Sequence, residues 1–201
     1  MRNFQLLVSG LDVSGLLAGV ATQPELWNAH KVRAAHPESV HRDVDDIILR
    51  YNKFSAGHDF LDKVCASIDC VMYPPWYKLP QAHPFIFGLM SRVAGVHLGR
   101  CMISRLAPGQ IIPAHSDRIP PAEKVFPDRP PPAIYYERYH LPLQAGPGMV
   151  FYCGDEQVQM TPGEFWWFNN QLVHSVVNNS REDRIHLIID IRTKLDDYVP
   201  G

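Results

Sequence analysis

Two His-x-Asp triplets are the features of this sequence whose residue types and spacing could do chemistry, His41-Arg42-Asp43 and His115-Ser116-Asp117. In a β-strand, residues i and i+2 project from the same face, so both outer side chains of such a triplet can reach one metal ion. A chain of this composition contains the pattern about once by chance. Spacing alone therefore does not identify a metal site, and the surroundings of each triplet have to decide.

The surroundings favour the second triplet. The first one precedes another acidic pair, Asp45-Asp46, which is typical of a solvated loop or helix start. His115 instead ends a short apolar run that follows a turn at Ala107-Pro108-Gly109-Gln110. We therefore interpret 41–43 as a solvated segment and 115–117 as the candidate site.

His174 is the third candidate ligand, because it begins another predicted strand that can lie beside the first. Two imidazoles and one carboxylate, here His115, Asp117 and His174, form a facial triad of the kind that holds Fe(II) in oxygenases. Such a triad leaves coordination positions open for a co-substrate and for O2. A zinc hydrolase could use similar ligands with a bound water, but no nearby residue has the character of a general base.

Arg184 is a further reason to prefer the second triplet, because it lies in the last predicted interior strand, ten positions after His174. A buried guanidinium needs an anionic partner, and its planar fork pairs bidentately with a carboxylate. A dicarboxylate co-substrate such as 2-oxoglutarate would supply that carboxylate. The first triplet lacks this support: His97 lies at a comparable distance from it, but the residue ten positions further on is Ala107.

Short strands are the elements that must position these residues. From Cys101 onward, eight apolar runs alternate with Gly, Pro and Asn turns, which is typical of an all-β fold and, with eight strands, of a jelly roll. The predicted strands are 101–106, 110–116, 135–143, 149–153, 156–160, 164–168, 172–178 and 184–190.

The first hundred residues predict helices packed on that core. Helical spacing occurs in three stretches and a strand pattern in one, namely 11–17, 60–68, 85–93 and, for the strand, 47–49. The length suits one domain. We expect a single domain over residues 1–201, with a helical zone at 1–100 and a jelly-roll core at 101–192.

A proline-rich segment at 118–134 interrupts the strands, because its six prolines prevent ladder hydrogen bonds. A loop of this length in a compact domain is usually functional or disordered. This one directly follows the candidate ligand Asp117, so we expect it to form a lid over the site.

The composition excludes several classes of function. A formal net charge of -2 without a block of Lys or Arg argues against a generic nucleic-acid or membrane-surface binder. No window approaches the roughly 18 consecutive apolar residues that cross a bilayer. The four cysteines include no CxxC pair, so we expect free thiols and a cytoplasmic protein.

Three longer motifs surround the candidate residues. They are G-R-x-x-I-S-R-L-x-P-G-Q-x-I-P-x-H-S-D (99–117), R-Y-H-L-P-L (138–143) and P-G-E-x-W-W-F-N-N-x-x-x-H-S-V-x-N-x-S-x-x-D-R-I-H-L-I-x-D (162–190). Over roughly residues 98–192 the sequence thereby resembles the aspartyl/asparaginyl β-hydroxylase family of Fe(II)/2-oxoglutarate-dependent oxygenases.

The resemblance implies a double-stranded β-helix with Fe(II) at His115 and His174. It implies that 2-oxoglutarate is bound by Arg184, with further contacts from Ser104, Arg138 and His140. The best-known members of the family lack a carboxylate ligand where this sequence has Asp117, so we expect a complete triad here. The implied reaction is the O2-dependent hydroxylation of an unactivated C–H bond in a small-molecule or peptide substrate of the Asp or Asn type.

A cupin-like protein is the alternative, because Gly154-Asp155 and the spacing of His174 and Asn178 also suit that jelly-roll family. Such a protein would be a metal-dependent enzyme or a binding protein that does not use 2-oxoglutarate. Binding of iron and 2-oxoglutarate separates the two hypotheses. We interpret His186, in the last strand, as a hydrogen-bonded core residue rather than a ligand.

Overall fold

The structure, a computed structural model, describes residues 1–31, 33, 39–52, 70–117 and 136–193. Within them the chain forms eleven strands and three α-helices. The strands are β1 (Phe4–Val8), β2 (Asp45–Asn52), β3 (Cys70–Met72), β4 (His97–Leu106), β5 (Ile111–His115), β6 (Glu137–Gln144), β7 (Met149–Cys153), β8 (Glu156–Val158), β9 (Phe165–Phe168), β10 (His174–Asn178) and β11 (Arg184–Arg192). The helices are α1 (Ser14–Ala21), α2 (Pro74–Lys78) and α3 (His83–Arg92), with short 3-10 turns at Pro24–Leu26 and Pro80–Ala82.

Two antiparallel sheets pack together as a jelly roll. The larger sheet has the order β1-β9-β6-β11-β4-β2-β3, and the smaller has the order β5-β10-β7-β8. Phe151 of the smaller sheet and Phe168 of the larger one meet between them, with ring centroids 4.7 Å apart. The predicted fold, mainly β with helices packed on it, is confirmed.

Strand β11 shows how the sequence divides the two faces of the larger sheet. Its odd-numbered residues from 185 to 191 are all Ile or Leu, and they lie in the core that includes α1 and α3. Its even-numbered residues include Arg184 and Ile188, which border a cavity between the sheets. Because side chains alternate along a strand, one face of β11 contacts the helices, and the other, more polar face points to the smaller sheet.

The helices cover the apolar face of the larger sheet. Leu16 and Val20 of α1 and Ile86 and Leu89 of α3 are buried there. Spacings of three and four residues place each pair on one side of its helix. Burial of each such side chain contributes roughly 1.5–3 kcal/mol to the free energy of folding. The helices therefore stabilise the larger sheet, whose other face carries the polar side chains.

The eight strands predicted after residue 101 are all present, but the zone before it is less helical than predicted. Strands β1, β2 and β3 belong to the larger sheet, and β4 already begins at His97. The strand predicted at 47–49 is confirmed and lies within β2, but the rest of these early strands was not predicted, for physical reasons. Strand β2 is buried on both faces and shows no alternation, whereas β3, at a sheet edge, is only three residues long.

Some predictions fall outside the described residues, namely the helix at 60–68, the lid at 118–134 and the state of Cys65. The other three cysteines are free thiols, as expected. In the part of the chain that the structure describes, no helix is long and apolar enough to cross a membrane. The cytoplasmic location stays a prediction.

Candidate metal and co-substrate site

Strand pairing brings His115 and His174 together. Strands β5 and β10 are antiparallel neighbours, and their register pairs these two residues directly. Asp117 follows the end of β5, and its backbone N–H donates to the carbonyl of Asn170 at 3.0 Å. This hydrogen bond holds the segment that carries Asp117 against the loop that leads to His174.

The three candidate ligands lie close enough to share one ion. Possible ligand atoms of His115, Asp117 and His174 are all within 4.8 Å of one another. Oδ2 of Asp117 is 3.9 Å from Nε2 of His174, and the two imidazole centroids are 4.3 Å apart. Since ligand atoms lie about 2 Å from a bound transition metal, only small shifts would bring all three onto one ion.

Backbone carbonyls orient both histidines. Nδ1 of His115 is 2.7 Å from the carbonyl oxygen of Pro113, and Nδ1 of His174 is 2.9 Å from that of Leu172. Because a carbonyl oxygen only accepts, each Nδ1 donates, and Nε2 is the ring nitrogen left for a metal ion. Metal-binding histidines usually have such a second contact, which fixes the ring and its tautomer.

Burial and neighbouring charges keep the triad in a metal-binding form. Burial lowers the pKa of His174 to about 4, against the opposing effects of the Leu172 carbonyl and Asp117. Burial alone would raise the pKa of Asp117, but Arg138 above all, and then the histidines, outweigh it and lower the pKa. Near neutral pH the site therefore presents a neutral imidazole and a carboxylate, as metal binding requires.

Arg138 connects the triad to the centre of the larger sheet. Its Nη1 donates to Oδ2 of Asp117 at 2.7 Å, and its Nε and Nη2 donate to Asp190 at 2.7 and 2.9 Å. Burial would lower the pKa of Arg138, but Asp117 and Asp190 together raise it. The guanidinium therefore holds the Asp117 carboxylate in place. The contact between Arg138 and the co-substrate stays a prediction.

Arg184 is buried, with 3% of its surface exposed, and its polar neighbours are histidines. Its Nη2 donates to Nδ1 of His186 at 3.0 Å and lies 3.5 Å from Nδ1 of His140. Burial, with a smaller effect of Arg33, lowers the pKa of Arg184 to about 9. No carboxylate among the described residues pairs with it, so at neutral pH Arg184 is a buried cation without an anion.

The two histidines beside Arg184 are neutral. Burial lowers the pKa of His140 and of His186 well below the usual value, and Arg184 lowers both further. Since an arginine N–H only donates, Nδ1 of His186 is the acceptor and its proton lies on Nε2. His186 is thus a hydrogen-bonded core residue, as interpreted from the sequence, and it orients Arg184. The contact of His140 with the co-substrate stays a prediction.

Ser104 belongs to a buried group that the sequence did not reveal. Its hydroxyl donates to Oδ1 of Asp46 at 2.6 Å and accepts from Nη2 of Arg33 at 2.7 Å. Nε of Arg33 donates to the other carboxylate oxygen of Asp46 at 2.8 Å. The one available signal was that Asp46 precedes Ile48 of β2 by two residues, which places both on the same face of a strand. Nothing in the spacing around Arg33 indicated a role. The role of Ser104 toward the co-substrate stays a prediction.

The first His-x-Asp triplet is divided between solvent and the site. The side chain of Asp43 is 63% exposed and pairs with Arg42, as expected for a solvated segment. That expectation is wrong for His41, which is only partly exposed and borders the same cavity as His115 and His174. Its ring lies edge-on to that of His115, with centroids 5.0 Å apart, and burial lowers its pKa.

Most of the candidate site residues border one cavity between the sheets. The polar lining consists of Arg33, His41, Ser104, His115, Arg138, His140, His174 and Arg184, and the apolar lining of Ile112, Phe151, Phe168, Val176 and Ile188. Six of the seven predicted site residues are therefore brought together in the lining. The seventh, Asp117, is joined to it by Arg138.

Solved structures of similar fold include two oxygenases. The viral collagen prolyl hydroxylase of Paramecium Bursaria Chlorella virus-1, solved as a 2OG complex, is 11% identical, with 96% of each chain covered and a TM-score of 0.53. An oxidoreductase of the 2OG-Fe(II) oxygenase family from Burkholderia pseudomallei is 14% identical, with 92% of this chain and 93% of that chain covered and a TM-score of 0.50. At these identities the likeness concerns the fold alone.

A cupin domain from Bordetella pertussis is 17% identical, with 48% of this chain and 83% of that chain covered and a TM-score of 0.35. No curated protein matches the chain. The family model for aspartyl/asparaginyl β-hydroxylase matches residues 77–194, which is more than half of the sequence and includes the triad and Arg184. The chain therefore belongs to the aspartyl/asparaginyl β-hydroxylase family of oxygenases.

Proposed function

We propose that the protein is an Fe(II)- and 2-oxoglutarate-dependent dioxygenase that hydroxylates an unactivated C–H bond of an Asp- or Asn-type amino acid or peptide. The observation that carries this proposal is that one cavity is lined by both triad histidines and by a buried arginine that has no carboxylate partner among the described residues. Asp117 lies beside these histidines and completes the His-Asp-His group. Family membership supports the substrate class.

The donor set of the triad fits Fe(II). Two imidazole nitrogens and one carboxylate oxygen leave positions open for a chelating co-substrate and O2. His115 and His174 would bind through Nε2, because their Nδ1 atoms are hydrogen-bonded to carbonyls. Asp117 would bind through its carboxylate, which Arg138 already holds beside the histidines.

The surroundings of Arg184 fit a dicarboxylate. A buried unpaired cation is costly, and a bidentate carboxylate partner removes that cost. His186 already occupies one donor of the guanidinium, which leaves other N–H groups for the distal carboxylate of 2-oxoglutarate. Ser104, Arg138 and His140 border the same cavity, and we assign them as further contacts of the co-substrate.

When bound, Fe(II) and 2-oxoglutarate would supply the oxidising chemistry: O2 places one oxygen atom in succinate, with loss of CO2, and the other in the hydroxyl group of the product. The protein's own residues orient these groups. Arg138 fixes Asp117, Arg184 anchors an anion, and the apolar side chains of Phe151, Phe168 and Val176 keep water away from the reacting centre.

Succinate formation tests the proposal. With Fe(II), O2 and 2-oxoglutarate, the wild-type protein should bind both metal and co-substrate and release succinate, and His174→Ala should abolish this release because one of three ligands is lost. His83→Ala is the matched control, since His83 contacts Trp76 in the helical layer and should leave turnover unchanged. A wild-type protein that binds neither iron nor 2-oxoglutarate would contradict the proposal.

The same measurements address the cupin-like alternative. A cupin-like enzyme or binding protein would bind a metal at the triad, but its metal affinity and activity would not depend on 2-oxoglutarate. The buried, unpaired Arg184 favours the oxygenase. Mass spectrometry of candidate Asp and Asn substrates, for the gain of one oxygen atom, then tests the substrate class.

A further inference from the structure

His41 lies in the cavity of the candidate site but has no place in the metal or co-substrate assignments above. It lines the cavity together with His115, His174 and Arg184. Its ring stands edge-on to that of His115 at a centroid distance of 5.0 Å. It is not one of the residues whose ligand atoms cluster within 4.8 Å. His41 therefore borders the metal position without belonging to the triad.

The imidazole of His41 has an unused polar atom. Its Nδ1 is shielded from solvent and hydrogen-bonds to none of the described residues. Buried polar atoms in proteins are nearly always hydrogen-bonded, and each exception calls for a partner such as a bound molecule. An imidazole at the edge of a substrate cavity has an evident candidate for that partner, which is the substrate.

Two hydrogen bonds fix the backbone that carries the imidazole of His41. Its N–H donates to Oγ of Ser39 at 3.2 Å, and its carbonyl accepts from the N–H of Val44 at 3.1 Å. Val44 is buried in the core between the sheets. A hydrogen-bonding group held in this way can orient a bound molecule at little entropic cost.

His41 also lies outside the part of the chain that the family model matches, which is 77–194. The triad and Arg184 lie inside it. Arg33, the other cavity residue from before this region, is paired with Asp46. The segment before β2 therefore adds side chains of its own to a cavity whose metal and co-substrate groups belong to the family region, and substrate recognition is the task left for it.

We propose that His41 is a substrate-positioning residue, whose Nδ1 hydrogen-bonds an amide group of an amino-acid or peptide substrate beside the C–H bond that is hydroxylated. This inference rests on the proposed function. An amide suits the position because it can either donate or accept, and because it carries no net charge into a cavity whose Arg33 and Arg138 are already neutralised by carboxylates.

The test uses the full-length protein with Fe(II) and 2-oxoglutarate. Wild type is first offered a library of free L-amino acids and N-acetylated, C-terminally amidated tripeptides, and the best hydroxylated member becomes the probe. We expect His41→Phe to raise the KM for this probe about tenfold, as for the loss of one hydrogen bond, and to lower the ratio of hydroxylated product to succinate. His41→Asn should recover part of both losses, because its amide atoms and Nδ1 of histidine are bonded to the equivalent Cγ.

Binding measurements separate positioning from damage to the site. The Kd values of Mn(II) and 2-oxoglutarate should stay within about twofold of wild type in both His41 variants. The control His83→Gln, in the helical layer, should leave these Kd values, the KM and the ratio of hydroxylated product to succinate unchanged. An unchanged KM and product-to-succinate ratio in His41→Phe would overturn the inference, as would loss of Mn(II) or 2-oxoglutarate binding, which would make His41 a support for His115.

The library itself distinguishes two kinds of failure. If wild type forms succinate but hydroxylates no member, the amide-bearing substrate is wrong while the oxygenase assignment stands. If wild type binds neither iron nor 2-oxoglutarate, the proposed function fails and the role of His41 fails with it.

Discussion

Arg138 and Arg184 are two buried arginines of one cavity with opposite surroundings. Arg138 is engaged by two carboxylates, those of Asp117 and Asp190, through three hydrogen bonds of 2.7 to 2.9 Å. Arg184 donates to the neutral His186 instead and has no carboxylate partner in the described part of the chain. The pKa of Arg138 is raised by its partners, whereas burial lowers that of Arg184.

The difference separates an arginine that is paired within the protein from one that has no carboxylate partner in the described part of the chain. A paired buried charge is part of the folded structure, and removal of one partner leaves the others unpaired at a large cost. An unpaired buried cation costs stability by itself and is retained where a ligand supplies the anion. Arg138 therefore holds the triad in place through its two carboxylates, and we propose that Arg184 binds the carboxylate of a ligand.

The largest effect on stability should follow from Arg138→Leu. Asp117 and Asp190 would be left as buried unpaired carboxylates, so we expect the free energy of unfolding in urea to fall by about 3–5 kcal/mol. Added Mn(II) should restore part of this loss by pairing with Asp117. A loss below about 1 kcal/mol would show that Arg138 does not hold the site together in this way.

Arg184→Leu should weaken the binding of 2-oxoglutarate without lowering the stability of the protein. We expect the Kd of 2-oxoglutarate to rise about 100-fold, corresponding to roughly 3 kcal/mol, while the free energy of unfolding of the ligand-free protein stays the same or increases. Isothermal titration with Mn(II) present and urea unfolding without ligand measure the two quantities. If 2-oxoglutarate binds Arg184→Leu as tightly as wild type, the assignment of Arg184 to its carboxylate is wrong.

The pH dependence of stability should also distinguish Arg138. In wild type the lowered pKa of Asp117 contributes stability above the ordinary carboxyl pKa, and this is lost only as pH falls below about 4. In Arg138→Leu the burial of Asp117 is no longer outweighed, so its pKa should rise, and the stability that the variant has lost relative to wild type should become smaller as pH falls. Without metal, the difference in unfolding free energy between wild type and Arg138→Leu should narrow by about 1 kcal/mol from pH 8 to pH 5. A difference that stays constant over this range would contradict the prediction.

His186→Leu should have the smallest of these effects. The substitution removes the acceptor for Nη2 of Arg184, so the guanidinium is less well oriented for an anion. We expect the Kd of 2-oxoglutarate to rise about fivefold, or roughly 1 kcal/mol, with metal affinity unchanged. His186→Gln, which keeps an acceptor, should lie nearer to wild type. An equal effect of both variants would indicate packing rather than hydrogen bonding.

The sequence predicted much of the fold and most of the candidate site. Alternation with a period of two and turn residues located the eight later strands, because both signals are local. Of the early strands, only β2 was predicted, and only over 47–49, because it is buried on both faces and shows no alternation. Strand β3 escaped prediction because it is a short edge strand. His115, Asp117, His174 and Arg184 were predicted from residue type and spacing, and the family resemblance added Ser104, Arg138 and His140.

The partners of those residues depend on which strands become neighbours. Arg138 meets Asp190 because β6 pairs with β11 in a register that aligns them, although they are far apart in sequence. His41 enters the cavity while Asp43 of the same triplet stays in solvent, and nothing local distinguishes the two. By itself the sequence determined which side chains can bind a metal and a carboxylate, since chemistry and strand period are properties of short segments. Only the tertiary structure decided which arginine is paired with carboxylates and which is not, since strand order and register are set by long-range packing.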